Sequence, residues 1–265
     1  MEKRNRPIAF FDSGVGGISV LREAVRLMPR ENYLYFGDSA NAPYGTKSID
    51  EIRALSLSNA KMLYSQGIKA LVVACNTATS ASIRDLRAIY TDIPVIGIEP
   101  ALKPAALMSD HPSVLVMATP LTVRASKFHD LLGQYADRAD VTALGCPGLM
   151  EYVESGDLDG PAIRAYLSDL LSPYLGSGAH SIDAIVLGCT HYPFVRPLIS
   201  QIAGEHVRIF DGGAGTAREL HRRLEEEGLL TDRTCAGSVN FSESLPEKIP
   251  LCRTLLQLPQ DASGL

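Results

Sequence analysis

Two stretches of this chain read as the same sentence. Residues 68–79, I-K-A-L-V-V-A-C-N-T-A-T, form an apolar run that ends in Cys75 and a cluster of Asn and Thr. Residues 182–193, I-D-A-I-V-L-G-C-T-H-Y-P, repeat it with Cys189 in place of Cys75, 114 residues on (189 − 75). An unbroken apolar run of this length, without polar alternation, predicts a strand buried on both faces. The neighbouring strands repeat at nearly the same interval. Ile8–Phe11 matches Val114–Met117, Tyr33–Phe36 matches Val141–Leu144, and Pro94–Ile98 matches Val207–Phe210. Side-chain identity between the halves is low, yet four strands in one order at near-constant offset predict an internal duplication. Strands alternating with helical stretches predict parallel sheets with helices on both faces. The expected fold is α/β, with two pseudo-symmetric domains. Each holds a mostly parallel sheet flanked by helices, and the active site is expected in the cleft between them.

Local signals fill in the pattern. D-S-G-V-G-G (12–17) leads into a helix from Ile18 to Met28, stopped at Pro29. Ser48 with Glu51 three residues on is a capping box for a helix running to about Gln66, with Gly67 suited to end it. A further helix is expected over about 77–90. From Cys235 onward the repeat offers no guide.

Charge and composition exclude several classes. A net charge of −5 leaves no electrostatic footprint for nucleic acid or anionic lipid. The longest apolar runs are strand-length, too short for a membrane span. M-E-K-R-N-R-P has no apolar core of a signal peptide. Five cysteines, an odd number, point to reduced thiols and a cytoplasmic location. No C-x-x-C and no paired Cys/His spacing occurs, so no structural metal site is expected.

In open α/β sheets, ligands bind beyond the carboxyl ends of the strands. Here those ends carry Asp12-Ser13, Asn76-Thr77, Thr119 with Thr122, and Cys189-Thr190-His191. Helix N-termini after them would offer free N–H groups to an anion without Lys or Arg, which suits a small carboxylate ligand. The glycine-rich loop is a weak dinucleotide signal, since Ser19 stands where a third glycine is needed, and a plain tight turn explains it as well.

A thiol at a helix N-terminus has its pKa drawn toward neutrality and can take or give a proton. One such cysteine would be ordinary core. Two at matched strand ends point to chemistry, whereas Cys146, Cys235 and Cys252 are read as structural. His191 could relay the Cys189 proton or simply cap its own helix. Asp12 could be an N-cap or act beside Cys75. Glu151, in the second half's counterpart of the 37–47 loop, could serve Cys189 or be a solvated helix residue. Tyr44 in P-Y-G either anchors its loop or touches the ligand. The other histidines (111, 129, 180, 206 and 221) read as surface or helix residues.

Two proton-transfer groups of one kind suit a reaction that is itself nearly symmetric, the inversion of a stereocentre. For both sulfurs to reach one carbon they must stand about 7 Å apart. The residues thus point to a cofactor-independent epimerase of a small carboxylate. A Cys189–His191 hydrolase is the rival, but two residues of separation look awkward for a direct Cys–His bond, and Cys75 would be idle. A non-catalytic amino-acid binder would need no thiols.

F-D-S-G-V-G-G, A-P-Y-G-T, A-C-N-T-A-T and G-C-T-H-Y-P, in this order and spacing, resemble the glutamate racemases of the aspartate/glutamate racemase superfamily over essentially the whole chain. The resemblance implies interconversion of L- and D-glutamate without cofactor or metal, supplying D-glutamate for peptidoglycan in a bacterial cytoplasm. It implies Cys75 and Cys189 as the acid/base pair, with Asp12 assisting Cys75, and His191 with Glu151 assisting Cys189. Substrate contacts would be Asp12, Ser13, Tyr44, Gly45, Asn76, Thr77, Thr190 and His191, with Thr119 and Thr122 as minor ones. A-T-P-L-T lacks the glycine that such enzymes often carry before the first threonine. The family also implies a homodimer, and a C-terminal segment packed back on the first half. Residues 1–98 plus 212–265 then form the domain carrying Cys75, and 99–211 the domain carrying Cys189. Some members bind a cell-wall precursor activator through an N-terminal extension, and activation of that kind is not expected here.

Overall fold

The computed structural model describes residues 2–176 and 181–258. The chain divides into two compact units, one built from the described residues up to Glu99 with Gly213–Gln257, the other from Pro100–Gly212 with Leu258. The expected divisions at 98/99 and 211/212 fall one residue before these, whereas Leu258, expected in the first domain, groups with the second unit. Residues 259–265, expected in the first domain, and His180 lie outside the described residues.

In the first unit, β1 (Ile8–Asp12), β2 (Tyr33–Gly37), β3 (Ala70–Val73) and β4 (Val95–Gly97) alternate with α1 (Ile18–Leu27), α2 (Ile49–Tyr64) and α3 (Asn76–Ile89). The capping box forms as expected: the Ser48 hydroxyl accepts the Glu51 N–H, and the Glu51 carboxylate accepts the Ser48 N–H. Gly67 adopts φ of +73°, the left-handed conformation that lets the chain leave α2 and turn into β3. β3 is buried along its whole length, as an unalternating strand of a covered parallel sheet must be.

In the second unit, α4 (Leu102–Ala106) precedes β5 (Ser113–Ala118), α5 (Pro120–Arg124), α6 (Ser126–Gly133) and β6 (Asp140–Gly145). These lead on to α7 (Leu149–Ser155), α8 (Pro161–Leu171), β7 (Ala184–Leu187), α9 (Arg196–Ala203) and β8 (Arg208–Asp211). Leu102, Val114, Val116, Phe128, Ala184 and Val186 are among the residues of its core.

Sheet order shows the duplication directly. The second sheet runs β6-β5-β7-β8, and the first contains β2-β1-β3-β4 in the same spatial sequence, all pairs parallel. In this doubly wound order the crossovers change direction between the first and third strands, which opens a crevice at their carboxyl ends. Asp12 ends the first of those strands, and Cys75 follows the third.

The chain then returns to the first unit through α10 (Gly213–Glu226), β9 (Val239–Glu243) and α11 (Ile249–Gln257). α10 and α11 pack on α1. β9 adds a fifth, parallel strand against β2. Its residues alternate apolar and polar, as in a half-buried strand, but the repeat holds no counterpart to it. Of the C-terminal segment, Gly213–Gln257 packs on the first half as expected.

Beneath this return lies a buried ion pair. Lys69 and Glu31 are 0% and 3% exposed and 2.5 Å apart. The ammonium also donates to the carbonyls of Arg4 and Leu229, while the other Glu31 oxygen accepts the Thr231 N–H. The N-terminus, the start of β3 and the segment after α10 are thus fastened at one point. Removing one partner of such a pair leaves an uncompensated charge in the core. Lys69→Met is therefore expected to lower the unfolding free energy by about 3 kcal/mol, read from the shift of the urea midpoint.

Candidate active site

Around Cys75 the backbone itself makes the site. Cys75 is the N-cap of α3, and its sulfur accepts the Ala78 N–H at 3.4 Å. A thiolate at that position faces the positive end of the helix dipole. The thiol lies 3.6 Å from the Ser13 hydroxyl. Asp12 is fully buried, and its Oδ1 accepts the Gly14 N–H at 2.9 Å, so it shapes the D-S-G turn rather than capping α1, whose N-cap is Gly17. A Cβ on Gly17 would stand 2.7 Å from that of Asp12 and 2.9 Å from that of Ala74, so only glycine lets α1 approach this closely. Asn76 and Thr77 are buried in the first turn of α3, and among the described residues the Asn76 amide oxygen has no hydrogen-bond partner. A buried acceptor without a donor is costly, and a ligand N–H would relieve it.

The 37–47 loop forms two short 3-10 turns, Ser39–Asn41 and Tyr44–Thr46. The alternatives for the Tyr44 side chain resolve in favour of an anchor. Its hydroxyl donates to Asp38 at 2.6 Å and accepts from the Asn59 amide. Burial, then the bond to Asp38 and the charges of Asp38, Cys75 and Asp12, push the phenol far above its ordinary range and keep it a neutral donor. Gly45 is half-buried beside it.

The second unit departs from the first at the equivalent point. No regular helix starts at Cys189. A 3-10 turn, Tyr192–Val195, intervenes before α9, with prolines at the start of each. The side chain beside the sulfur is His191, whose Nδ1 lies 3.7 Å from Cys189 Sγ, within hydrogen-bond range for sulfur. The expectation that two residues of separation disfavour a direct Cys–His bond is thus corrected. Outside a regular helix, the turn bends far enough to bring them together. On its other side, His191 Nε2 meets Glu154 Oε1 at 2.8 Å. Glu151, the expected carboxylate, is exposed in the first turn of α7, and Glu154 takes the place beside His191. Glu154 follows the buried Met150 by four residues and so shares its inward face, a periodicity that could have marked it.

Burial pulls the His191 pKa down. The hydrogen bonds to Cys189 and Glu154, with the charges of both, outweigh it and hold the value well above 6.5. A raised folded pKa adds stability that is complete below the unfolded pKa and lost as pH climbs through the folded one. The stability gap between wild type and Glu154→Gln should therefore be widest below about pH 6.5 and narrow above it, as measured by urea midpoints across pH.

Thr190 is buried beside Cys189. Thr119 caps α5, and its hydroxyl bonds that of Thr122 at 2.9 Å. Burial pushes the Cys146 thiol up to about 12, which leaves it protonated at neutral pH. Cys252 is buried too, but Cys235 is exposed. Of the other histidines, 111, 129 and 206 are exposed and His221 is half-buried on α10.

Residues 14–220 match the Asp/Glu/Hydantoin racemase family. A glutamate racemase of Clostridium perfringens is 49% identical over 257 residues, spanning 96% of this chain and 98% of the relative. The crystal structure of a glutamate racemase from Bacillus anthracis matches with a TM-score of 0.85 at 30% identity, covering 99% of this chain and 98% of that one. That of the Francisella tularensis enzyme in complex with D-glutamate gives 0.82 at 29% identity, covering 96% and 95%. The chain belongs to the Asp/Glu/hydantoin racemase family. Within that family its match is to the glutamate racemases, which makes it an amino-acid racemase, an isomerase.

Proposed function

We propose that this chain interconverts L- and D-glutamate by a two-thiol mechanism in which Cys75 and Cys189 act on opposite faces of Cα. One thiolate removes the Cα proton and the opposite thiol supplies a proton to the other face. The reverse reaction exchanges their roles. The observation that carries this reading is the equivalence of the two cysteines. Each follows the third strand of a sheet with the same order, and each has a polarising neighbour, a helix N-terminus at Cys75 and an imidazole at Cys189. No cofactor enters the scheme.

In this reading Asp12 and Ser13 act beside Cys75. His191 is the proton-relay partner of Cys189, and Glu154 orients it. The unpartnered Asn76 oxygen accepts from the substrate ammonium. Thr77, Thr190, Thr119, Thr122 and the backbone at Tyr44 and Gly45 complete the carboxylate contacts. Support for glutamate comes from the relative bound to D-glutamate and from the identity to glutamate racemases over nearly the whole chain.

The product is then D-glutamate for peptidoglycan, made in the cytoplasm by a homodimer. Among the described residues no helix is long and apolar enough to cross a membrane. The test is polarimetry by circular dichroism of purified protein with L-glutamate and nothing else added. The signal should decay to zero, and a signal that holds steady would reject the reading.

A further inference from the structure

At the carboxyl end of the first sheet, β9 brings a buried carboxylate to the base of the 37–47 loop. Glu243 ends β9 in register with Gly37, which is itself in register with Asp12 on β1. Its side chain is buried. Oε2 accepts the Ser39 hydroxyl at 2.9 Å, and Oε1 accepts the Cys252 thiol of α11 at 3.3 Å. The carboxylate occupies the space that a side chain on Gly37 would need, for a Cβ there would lie 2.0 Å from Oε1. The next residue continues the grip: Ser244 donates its N–H to the Gly37 carbonyl at 3.0 Å, and its hydroxyl accepts the Ala40 N–H at 2.8 Å. Gly37, Ser39 and Ala40 are thus held from a segment some 200 residues away. Asp38, between them, donates its N–H to the Asp12 carbonyl and carries the bond to Tyr44.

A strand end buried only for stability would be served by an apolar side chain, without the desolvation cost of a carboxylate. What the carboxylate adds is a fixed, directional acceptor that sets where Ser39 sits. We propose that Glu243 is a positioning residue for the substrate loop. Through Ser39 and the Asp38–Tyr44 bond it sets the place at which Tyr44 and Gly45 meet the amino acid. The proposal rests on the reading above that this loop contacts glutamate.

Steady-state racemisation of L-glutamate, calorimetric binding of D-glutamate and thermal unfolding are measured on Glu243→Ala, Glu243→Gln and Ser39→Ala. Glu243→Ala should raise KM about tenfold and weaken D-glutamate binding alike, with kcat within about twofold of wild type. Glu243→Gln keeps a carbonyl acceptor that can still take the Ser39 hydroxyl and should recover most of the KM. Ser39→Ala should raise KM about threefold with only a modest fall in unfolding temperature, and it decides the matter should Glu243→Ala not fold. A KM and binding constant that stay at wild-type values in these variants, whatever the unfolding temperature does, overturn the proposal. A wild-type protein that does not turn over glutamate removes the reading beneath it instead.

Discussion

Replacing Cys75 or Cys189 by alanine, one at a time, abolishes glutamate racemisation, with the rate down by about 10³-fold or more in each variant. The magnitude follows from the symmetry of the proposed chemistry. Every turnover needs a base on one face and an acid on the other, so neither thiol can substitute for its counterpart. Because the equilibrium constant of a racemisation is one, kcat/KM must fall equally from L- and D-glutamate. The difference between the two units appears elsewhere. Serine in place of either cysteine should give unequal primary isotope effects for the two enantiomers, since the weakened proton transfer lies on a different side of the intermediate in each variant. Turnover read beside calorimetry separates this account from a mere binding protein, which would have no turnover to lose. D-Glutamate binding should persist in the alanine variants while turnover is lost. Retained turnover in either variant would reject the assignment of that cysteine.

Around His191 the expected effects are ordered. His191→Ala should lower kcat by about 10²-fold, since it removes the group bonded to Cys189. Glu154→Gln keeps the shape but exchanges a charge-assisted bond to the imidazole for a neutral one, and should cost about tenfold. Glu151→Gln should leave kcat and KM unchanged, because that carboxylate is exposed in the first turn of α7. The alkaline limb of the pH–rate profile carries a second signature. Against burial, His191 holds its proton to higher pH through Cys189 and Glu154 together, so Glu154→Gln should move that limb toward lower pH. Equal losses in the Glu151 and Glu154 variants would contradict the relay.

How much of this could be read from residues alone depends on the kind of signal. The buried strands announce themselves because an unalternating apolar run has few other uses, and the capping box at Ser48 and Glu51 appears in the structure atom for atom. Cys75 and Cys189 stand out because the duplication counts them twice. Where the halves cease to match, local pattern misleads. The prolines at 193 and 197 replace the expected helix after Cys189 by a 3-10 turn, and that turn brings His191 onto the sulfur. Loop equivalence points to Glu151, whereas helical phase, counted from the buried Met150, gives Glu154. Glu243 was out of reach altogether, since nothing near it in sequence indicates that β9 lies along β2 beside Ser39.

The central claim, one carbon served from two sides by two different thiols, is tested most directly by proton NMR of L-glutamate in deuterium oxide at early conversion. Two separate acid/base groups predict that D-glutamate forms with deuterium at Cα while the remaining L-glutamate keeps its hydrogen. Deuterium entering both enantiomers together from the first turnovers would mean that a single group works both faces, and would contradict the account.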